Sequence, residues 1–327
     1  MTATKREENL QDVPVAVTAL SADAIREAQI HSSAELTFLV PSLTLQKGSD
    51  SRESSFNIRG IGTQSFSIGT EPSVSTMLDG VVMGRSGQAF MELMDIQRVE
   101  VLRGPQGTLF GKNSTAGVVH IITQQPTDEP SGEVMMSAQS DEEYRAGFTV
   151  SGPLTSDLSY RLTGSGNDLE DFTKNHFDGE KYNGYHNWTV RGKLRWVPTE
   201  NLDLMWAADY SDQHCKCTVA PIGSMDPWNG NDQDVQDILD LIYPVVPGDD
   251  NKEVNINRVP KSSSDQWGTS LEANWSLGDY TITSISAMRG YDIDGNSNDD
   301  YDGQPVTIIG LDQTGDTSQD QFTQKSA

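Results

Sequence analysis

Hydrophobic and polar residues alternate along most of the chain from residue 133 onward. Between Trp188 and Trp196 the even positions carry Trp, Val, Gly, Leu and Trp, whereas the odd positions carry Thr, Arg, Lys and Arg. Successive side chains of an extended strand point to opposite sides, so this period of two predicts strands with one apolar and one polar face. Eight segments share the pattern: residues 134–138, 144–150, 158–162, 188–196, 202–210, 267–275, 280–289 and 318–325.

The connections between these predicted strands alternate in length. Short turns at one end alternate with long loops at residues 167–187, 211–265 and 291–317 at the other end. This arrangement is typical of an antiparallel transmembrane β-barrel with external loops. A soluble β-sandwich has the same alternation of faces, so it is the competing interpretation. The barrel is favoured because aromatic residues lie mostly near strand ends, as at a lipid–water interface. They are Trp188, Trp196, Trp206, Tyr210, Trp267, Trp275 and Tyr280.

The first part of the chain has short β-branched runs and capping residues instead. We expect a strand at residues 13–19, a helix with Ser21 as its N-cap, and a second short helix that begins at Ser32 or Ser33. A hairpin is expected to turn at Asp79 and Gly80. Strand-like pieces follow at residues 96–102, 108–110 and 117–123, separated by glycine-rich turns.

These patterns divide the chain into four parts. A polar arm is predicted at residues 1–12, a small α/β domain at 13–125, a linker at 126–132 and strands of a barrel at 133–327. The glycine-containing segments 63–72 and 83–88 of the α/β domain are expected to be exposed loops.

Composition narrows the class of protein. The chain has 327 residues, a formal net charge of −25 and only 35% hydrophobic residues. Nucleic acid is excluded as a partner because phosphate binding requires clusters of Lys and Arg. The acidity points to solvated loops or to cationic ligands. The first twelve residues contain no apolar signal-peptide core, so either the mature chain is shown or its start has been cut away.

Two loop segments contain residue types that bind metals. Asp292, Asp294 and Asn296 place oxygen ligands at alternate positions, a weak candidate for Ca²⁺, but a solvated acidic loop is the favoured interpretation. His214, Cys215 and Cys217 do not complete a zinc site. In an oxidising compartment the cysteines are expected to form a disulfide, either with each other or with cysteines beyond this chain. No metal site or cofactor is therefore predicted.

An enzyme is the competing functional class. Residues 104–111, GPQGTLFG, have the wrong spacing for a phosphate-binding loop, and the sequence contains no nucleophile elbow or zinc signature. The abundance of Asp and Glu makes chance carboxylate pairs plentiful, so such pairs decide nothing. We therefore predict that the chain is not an enzyme.

Four stretches in collinear order resemble the plug domain of TonB-dependent outer-membrane receptors. They are TATKREENLQDVPVAVTALS from Thr2, FNIRGIG from Phe56, MLDGVV from Met77 and IQRVEVLRGPQGTLFGKNSTAGVVHIIT from Ile96. The resemblance implies a plug inside a barrel of roughly 22 strands. About eight of these strands are recognisable here, so the chain is expected to be a fragment with an incomplete barrel.

What the resemblance implies for function is energy-coupled uptake across the bacterial outer membrane. The implied partners are TonB with its ExbB–ExbD motor, outer-membrane lipid and a small-molecule substrate, in a receptor expected to be monomeric when complete. A ferric siderophore is the commonest cargo, with oligosaccharide, cobalamin or haem as alternatives. A surface-binding barrel without transport is the third class, although it has no use for a plug.

The resemblance also assigns roles to individual residues. Glu100 and Arg103 match the acidic and basic plug positions that contact the barrel wall, which implies an anchoring role. The alternative is that Arg103 caps its own turn and Glu100 is solvated. Thr2, Ala3 and Thr4 are expected to be the tail of the TonB box, the segment that pairs with TonB as an added strand. Substrate contact is expected at the plug apices, through Thr63, Gln64, Ser65, Phe66, Arg85, Ser86 and Gln88.

Overall fold

The computed structural model describes residues 15–46, 54–63, 70–140, 142–216, 219–225, 232–259, 261–300 and 310–326. The strands up to residue 123 are β1 (Val17–Ser21), β2 (Leu43–Gln46), β3 (Ser55–Ile58), β4 (Ile61–Gly62), β5 (Val74–Leu78), β6 (Val81–Val82), β7 (Ile96–Arg103) and β8 (Gly117–Thr123). Two α-helices, α1 (Ala22–Glu27) and α2 (Gly107–Phe110), and two 3-10 helices, Ser33–Phe38 and Gly87–Ala89, lie between them. We call this part the N-terminal domain.

Local signals in the sequence explain several of these elements. The Ser21 hydroxyl accepts a hydrogen bond from the Ala24 amide at 3.2 Å, which confirms the predicted N-cap of α1. Asp79 and Gly80 have φ angles of 46° and 81°, which join β5 to β6 in the tight hairpin that the sequence predicted. The predicted strand at 108–110 is wrong: these residues belong to α2, in which the amides of Leu109 and Phe110 donate to the Gln106 carbonyl.

The N-terminal domain has one main core. Its central sheet has the order β1-β7-β8-β5-β6, and a small second sheet has the order β2-β3-β4. Side chains from both sheets and from the helices are almost completely buried together. Burial of apolar area of this kind is the main source of domain stability. Representative members are Leu36, Val40, Leu43, Ile58, Val99, Val101, Val119 and Ile121.

The remaining large strands form one antiparallel sheet, which we call the wall. They are β9 (Ser131–Ala138), β10 (Glu143–Pro153), β11 (Leu158–Leu169), β14 (Tyr185–Thr199), β15 (Leu202–Cys215), β17 (Lys261–Leu277), β18 (Tyr280–Asp300) and β19 (Gly310–Ser326). Their order in the sheet follows their order in the chain. All eight predicted strands are therefore confirmed, each within a longer observed strand.

The wall has a polar inner face and an apolar outer face, the reverse of a sheet in a soluble protein. Its inner face, which packs against the N-terminal domain, buries polar side chains such as Lys193, which is 4% exposed, and Arg289, which is 6% exposed. Its outer face exposes apolar side chains: Met136 is 79% exposed and Trp275 is 50% exposed. The sandwich interpretation is wrong, because a sandwich buries its apolar face. A barrel wall in lipid requires this distribution of residues.

The predicted loops are shorter than expected. The loop at 291–317 is largely strand, since β18 continues to Asp300 and β19 begins at Gly310. The wall strands also extend into 167–187 and 211–265, leaving connections at 170–184 and 216–260. Most residues of these strand extensions are polar in the sequence, so little alternation of hydrophobicity marks them.

Two connections fold together at the loop end of the wall. Strands β12 (Thr173–Asn175) and β13 (Lys181–Tyr182) lie in the first, and β16 (Glu253–Val254) lies in the second, together with α3 (Asp232–Ile242). They form one sheet with the order β13-β12-β16, in which β12 and β16 are parallel. We call this the loop sheet. The loop sheet was not predicted from the sequence.

Candidate functional site

Carboxylates of the N-terminal domain form ion pairs with the inner face of the wall. Glu92 lies 3.1 Å from Arg145 Nη1 on β10, and Asp79 lies 2.9 Å from Lys193 Nζ on β14. The basic side chains are almost buried, at 9% and 3% exposed. Buried charges of this kind require a partner, so each wall cation fixes the position of one carboxylate of the N-terminal domain.

Asp95 makes the densest of these contacts. Its carboxylate accepts hydrogen bonds from Arg161 Nε at 2.6 Å and from the Thr163 hydroxyl at 2.8 Å, and it also pairs with Arg161 Nη2. Arg161 and Thr163 lie on β11, between β10 and β14 in the sheet. Three neighbouring strands of the wall thus each hold one acid of the N-terminal domain.

Asp79 also organises the tip of its own hairpin. Besides Lys193, its carboxylate accepts from the Thr123 amide at 2.8 Å and from the Thr123 hydroxyl at 2.7 Å. Burial alone would raise the pKa of Asp79, but Lys193, Arg191 and these Thr123 donors together hold the pKa below its usual value. The carboxylate is therefore ionised at neutral pH. From the sequence, Asp79 was identified only as a turn residue.

For Glu92, unlike Asp79, the effect of burial on the pKa is larger than the effect of the nearby charges. Burial raises the pKa of Glu92 above its usual value, and the nearby Arg145 offsets only part of that effect. Arg145 also lies 2.5 Å from Glu143 of the same strand, so its charge is shared between two carboxylates.

The predicted anchor Glu100 lies inside the N-terminal domain. It is fully buried and pairs with Arg98 at 2.8 Å on the same strand. His120, opposite Glu100 on β8, accepts a hydrogen bond from the Gly80 amide at 3.1 Å through Nε2. Burial lowers the pKa of His120 to about 4, so the imidazole is neutral at pH 7. His120 thus contacts the hairpin tip through the Gly80 amide.

Arg103, the other predicted anchor, faces the first strand of its own domain. Its backbone amide donates to the Ala16 carbonyl at 2.9 Å, and its guanidinium lies 3.5 Å from the carbonyls of Ala16 and Val17. These contacts hold the end of β7 to the start of β1. Neither these contacts nor the strand pairing tests the anchoring role of Arg103 or its alternative role as a cap of its own turn, so both stay predictions.

Part of the predicted substrate-contacting group lies at the boundary with the wall. Arg85 Nε donates to Gln319 Oε1 on β19 at 2.7 Å, and the Arg85 amide donates to Gln88 Oε1 at 3.1 Å. Ser86 and Gln88 are 5% and 2% exposed, so they are not on the open loop that the sequence predicted.

Thr63 is the remaining predicted contact residue within the described part of the plug. The Thr63 hydroxyl lies 2.6 Å from that of Ser73 and holds the base of its loop. Gln64, Ser65 and Phe66 lie outside the described residues, as do Thr2, Ala3 and Thr4 of the arm.

The loop sheet is held by asparagines that satisfy backbone groups. Asn175 is fully buried; its side chain donates to the Ile256 carbonyl at 2.9 Å and accepts from the Ile256 amide at 3.0 Å. Asn183 makes the same pair of hydrogen bonds with Val219, at 2.7 and 2.8 Å. Each asparagine thus replaces a missing strand partner and joins one connection to the other.

Aromatic residues of these connections have two different roles. Phe172 and Phe177 are 44% and 55% exposed and remain available for stacking against a ligand. Tyr182 is only 5% exposed and packs in the core of the loop sheet with Val219 and Val254.

The segment around Cys215 contacts the first of these connections. Lys216 lies 3.0 Å from Asp171. Cys215 is disulfide-bonded, whereas Cys217, the other cysteine of the sequence, lies outside the described residues. The pairing of Cys215 with Cys217 stays a prediction.

The calcium candidate does not have the predicted loop geometry. Asp292, Asp294 and Asn296 lie on the extended strand β18 and not in a loop. Within the ranges that the structure describes, no group of three or more His, Cys, Asp or Glu side chains is arranged to hold a metal ion. No helix among the described residues is long and apolar enough to cross a membrane.

Comparison with known proteins identifies the N-terminal domain. Residues 9–118 match the family described as the TonB-dependent receptor plug domain. Over 147 residues the chain is 35% identical to the pesticin receptor of Yersinia pestis. This alignment covers 45% of this chain and 21% of that receptor. It is 28% identical over 234 residues to the ferric enterobactin receptor PirA of Pseudomonas aeruginosa, covering 63% and 31% of the two chains. The chain thus spans less than a third of the length of these curated relatives.

The fold extends the match to the wall. The structure is similar to that of the ferric yersiniabactin uptake receptor FyuA from Yersinia pestis, with a TM-score of 0.77 and 24% identity, over 95% of this chain and 45% of that chain. This likeness includes both the N-terminal domain and the antiparallel strands. The members of the family are receptors and not enzymes, as the sequence predicted. Residues 9–118 are thus similar to the plug domain of TonB-dependent receptors, and the N-terminal domain and the wall together share the fold of the FyuA receptor structure.

Proposed function

We propose that this chain is part of a transporter that takes up a ferric siderophore across the outer membrane and is driven by TonB. The observation that carries the proposal is the plug domain ion-paired to the polar inner face of a wall whose outer face is apolar. A plug held by buried charges keeps the interior closed at rest, and work is needed to displace it. TonB, coupled to the ExbB–ExbD motor, supplies that work in this proposal.

The substrate class is proposed from the relatives. The similar proteins named for a ligand include receptors for ferric enterobactin and ferric yersiniabactin. In the plug we assign substrate contact to Thr63, Gln64, Ser65, Phe66, Arg85, Ser86 and Gln88. Arg85 is the most informative member of this group, because an anionic iron chelate is attracted to a guanidinium. The exposed Phe172 and Phe177 provide stacking surfaces at the loop end.

The remaining roles follow from the same proposal. Thr2, Ala3 and Thr4 belong to the arm that TonB binds by strand addition. Glu100 and Arg103 anchor the plug to the wall, together with the ion pair between Asp79 and Lys193.

Uptake of radioactive iron tests this function directly. A full-length receptor carrying this sequence is expressed in cells that lack other siderophore receptors, with and without TonB, and is offered ferric yersiniabactin or ferric enterobactin. We expect surface binding in both strains and accumulation only where TonB is present. Equal accumulation without TonB, or no binding of any ferric siderophore, would contradict the proposal.

A further inference from the structure

A narrow crevice separates the plug from the far end of the wall. It is lined by Arg85, Ser86 and Gly87 of the plug and by Tyr291, Thr317 and Gln319 of β18 and β19. Ser86 is 5% exposed, and its hydroxyl has no hydrogen-bond partner among the described residues. A buried hydroxyl without a protein partner is available to hydrogen-bond water or an oxygen-rich solute.

At Gly84 and Gly87 the plug presents backbone, and no side chain, to β18 and β19. A Cβ atom added to Gly84 would meet the side chains of Gln319 and Gln321, and one added to Gly87 would meet the Tyr291 hydroxyl. The absence of plug side chains at these glycines lets the two surfaces separate without side chains having to pass one another.

Two hydrogen bonds across this boundary end on side-chain amides of β19. Gln319 Oε1 accepts from Arg85 Nε at 2.7 Å, and Gln321 Nε2 donates to the Val82 carbonyl at 2.9 Å. Amide hydrogen bonds exchange readily with water or with an oxygen-rich solute. On β10, β11 and β14, by contrast, the wall holds plug carboxylates by buried ion pairs, whose separation leaves charges unpaired.

We infer that the substrate passes between plug segment 82–87 and strands β18–β19, while the ion pairs on β10–β14 keep the rest of the plug attached to the wall. This inference rests on the proposed uptake function. The passage accepts a polar chelate because the amides of Gln319 and Gln321, the Tyr291 phenol and the Ser86 hydroxyl replace the hydrogen bonds that the chelate loses to water. The same Arg85 that closes the crevice at rest attracts an anionic substrate to it.

Reversible cross-links placed on either side of the plug test the inference. In the full-length receptor, Gly84→Cys is combined with Gln321→Cys on the proposed passage, and Asp95→Cys is combined with Thr163→Cys on the anchored side. A short bifunctional methanethiosulfonate joins each pair, and a reductant removes the link. Surface binding and uptake of radioactive ferric yersiniabactin are measured in the linked and reduced forms of each variant.

We expect the Gly84–Gln321 link to abolish uptake while binding persists, with recovery on reduction. The Asp95–Thr163 link is expected to leave uptake at the level of its own reduced form. Continued uptake with the first link, or loss of uptake with both, would overturn the inference. If the reduced receptors bind and transport no chelate, the proposed function itself fails. If Asp95→Cys lowers the amount of receptor, the pair Glu92→Cys with Arg145→Cys replaces it.

Discussion

The carboxylate of Asp95 shows how single residues hold the plug. Its backbone has a φ of 58°, a conformation that Asp and Asn adopt more easily than most residues. In this conformation the short side chain meets Arg161 and Thr163 together. The backbone turn and the ion pair therefore depend on the same residue.

Asp95→Asn is expected to weaken the attachment of the plug. Asn keeps the shape and tolerates the positive φ, but it leaves the Arg161 guanidinium, 13% exposed, without its counter-ion. Loss of a buried partner typically costs about 2 to 4 kcal/mol. We therefore expect the plug to unfold at a lower urea concentration. Cleavage of the unfolded plug by a protease measures this midpoint.

A surface pair of the same chemistry provides the control. Asp203 pairs with Arg195 at 2.8 Å, but both side chains are about one third exposed. Exposed pairs contribute roughly 0 to 1 kcal/mol, so Asp203→Asn should hardly move the midpoint. Equal effects of the two substitutions would show that burial of the Asp95 pair is not important for holding the plug.

At the scale of elements, the sequence predicted those helices, turns and strands that depend on residues close together in the chain. The Ser21 cap and the Asp79–Gly80 hairpin depend on residues a few positions apart, and the wall strands on a period of two. The strand extensions beyond Asp292 were missed because most of their residues are polar in the sequence. The loop sheet was missed because β12 and β16 belong to different connections.

The same distinction limits prediction of the candidate site. Glu100 and Arg103 were selected from a motif, and the contacts shown for them lie within the plug. Asp79, Glu92 and Asp95 form ion pairs with the wall. No local pattern distinguishes these three acids from the other 45 Asp and Glu residues of the chain, since only the fold brings them opposite wall cations.

Asn175 provides a test of whether the two connections behave as one unit. Asn175→Ala leaves the buried amide and carbonyl of Ile256 without partners, at about 1 to 3 kcal/mol for each group. We expect amide hydrogen exchange at residues 253–256 to accelerate, although the substitution lies in the other connection. Asn255→Ala removes an exposed hydrogen bond to the Tyr243 carbonyl and serves as the control. Unchanged exchange in Asn175→Ala would show that the connections fold independently.

At the scale of the whole molecule, the outer face of the wall has the dimensions of a membrane span. Trp267 and Leu277 mark the ends of an exposed apolar stretch on β17. Ten residues at about 3.4 Å each, tilted by roughly 40°, cover about 25 Å across the bilayer, the usual height of the apolar band of a barrel. Beyond Trp267 the outer face of β17 and β18 changes to Asp265, Asp292 and Asp294, so the change from apolar to acidic residues marks the end of the lipid-facing band.

Leu271 lies midway along this band, four residues from both Trp267 and Trp275, and is 47% exposed. Leu271→Arg should therefore destabilise the full-length receptor in lipid by roughly 2 to 4 kcal/mol, as a charge at the bilayer midplane does. Ser270→Arg, the adjacent residue on the polar inner face, is expected to cost much less, because its guanidinium stays in a polar interior. Reversible unfolding from phospholipid vesicles measures both costs. If the two substitutions had equal effects, the outer face of β17 would not contact lipid, and the assignment of this wall to a membrane barrel would fail.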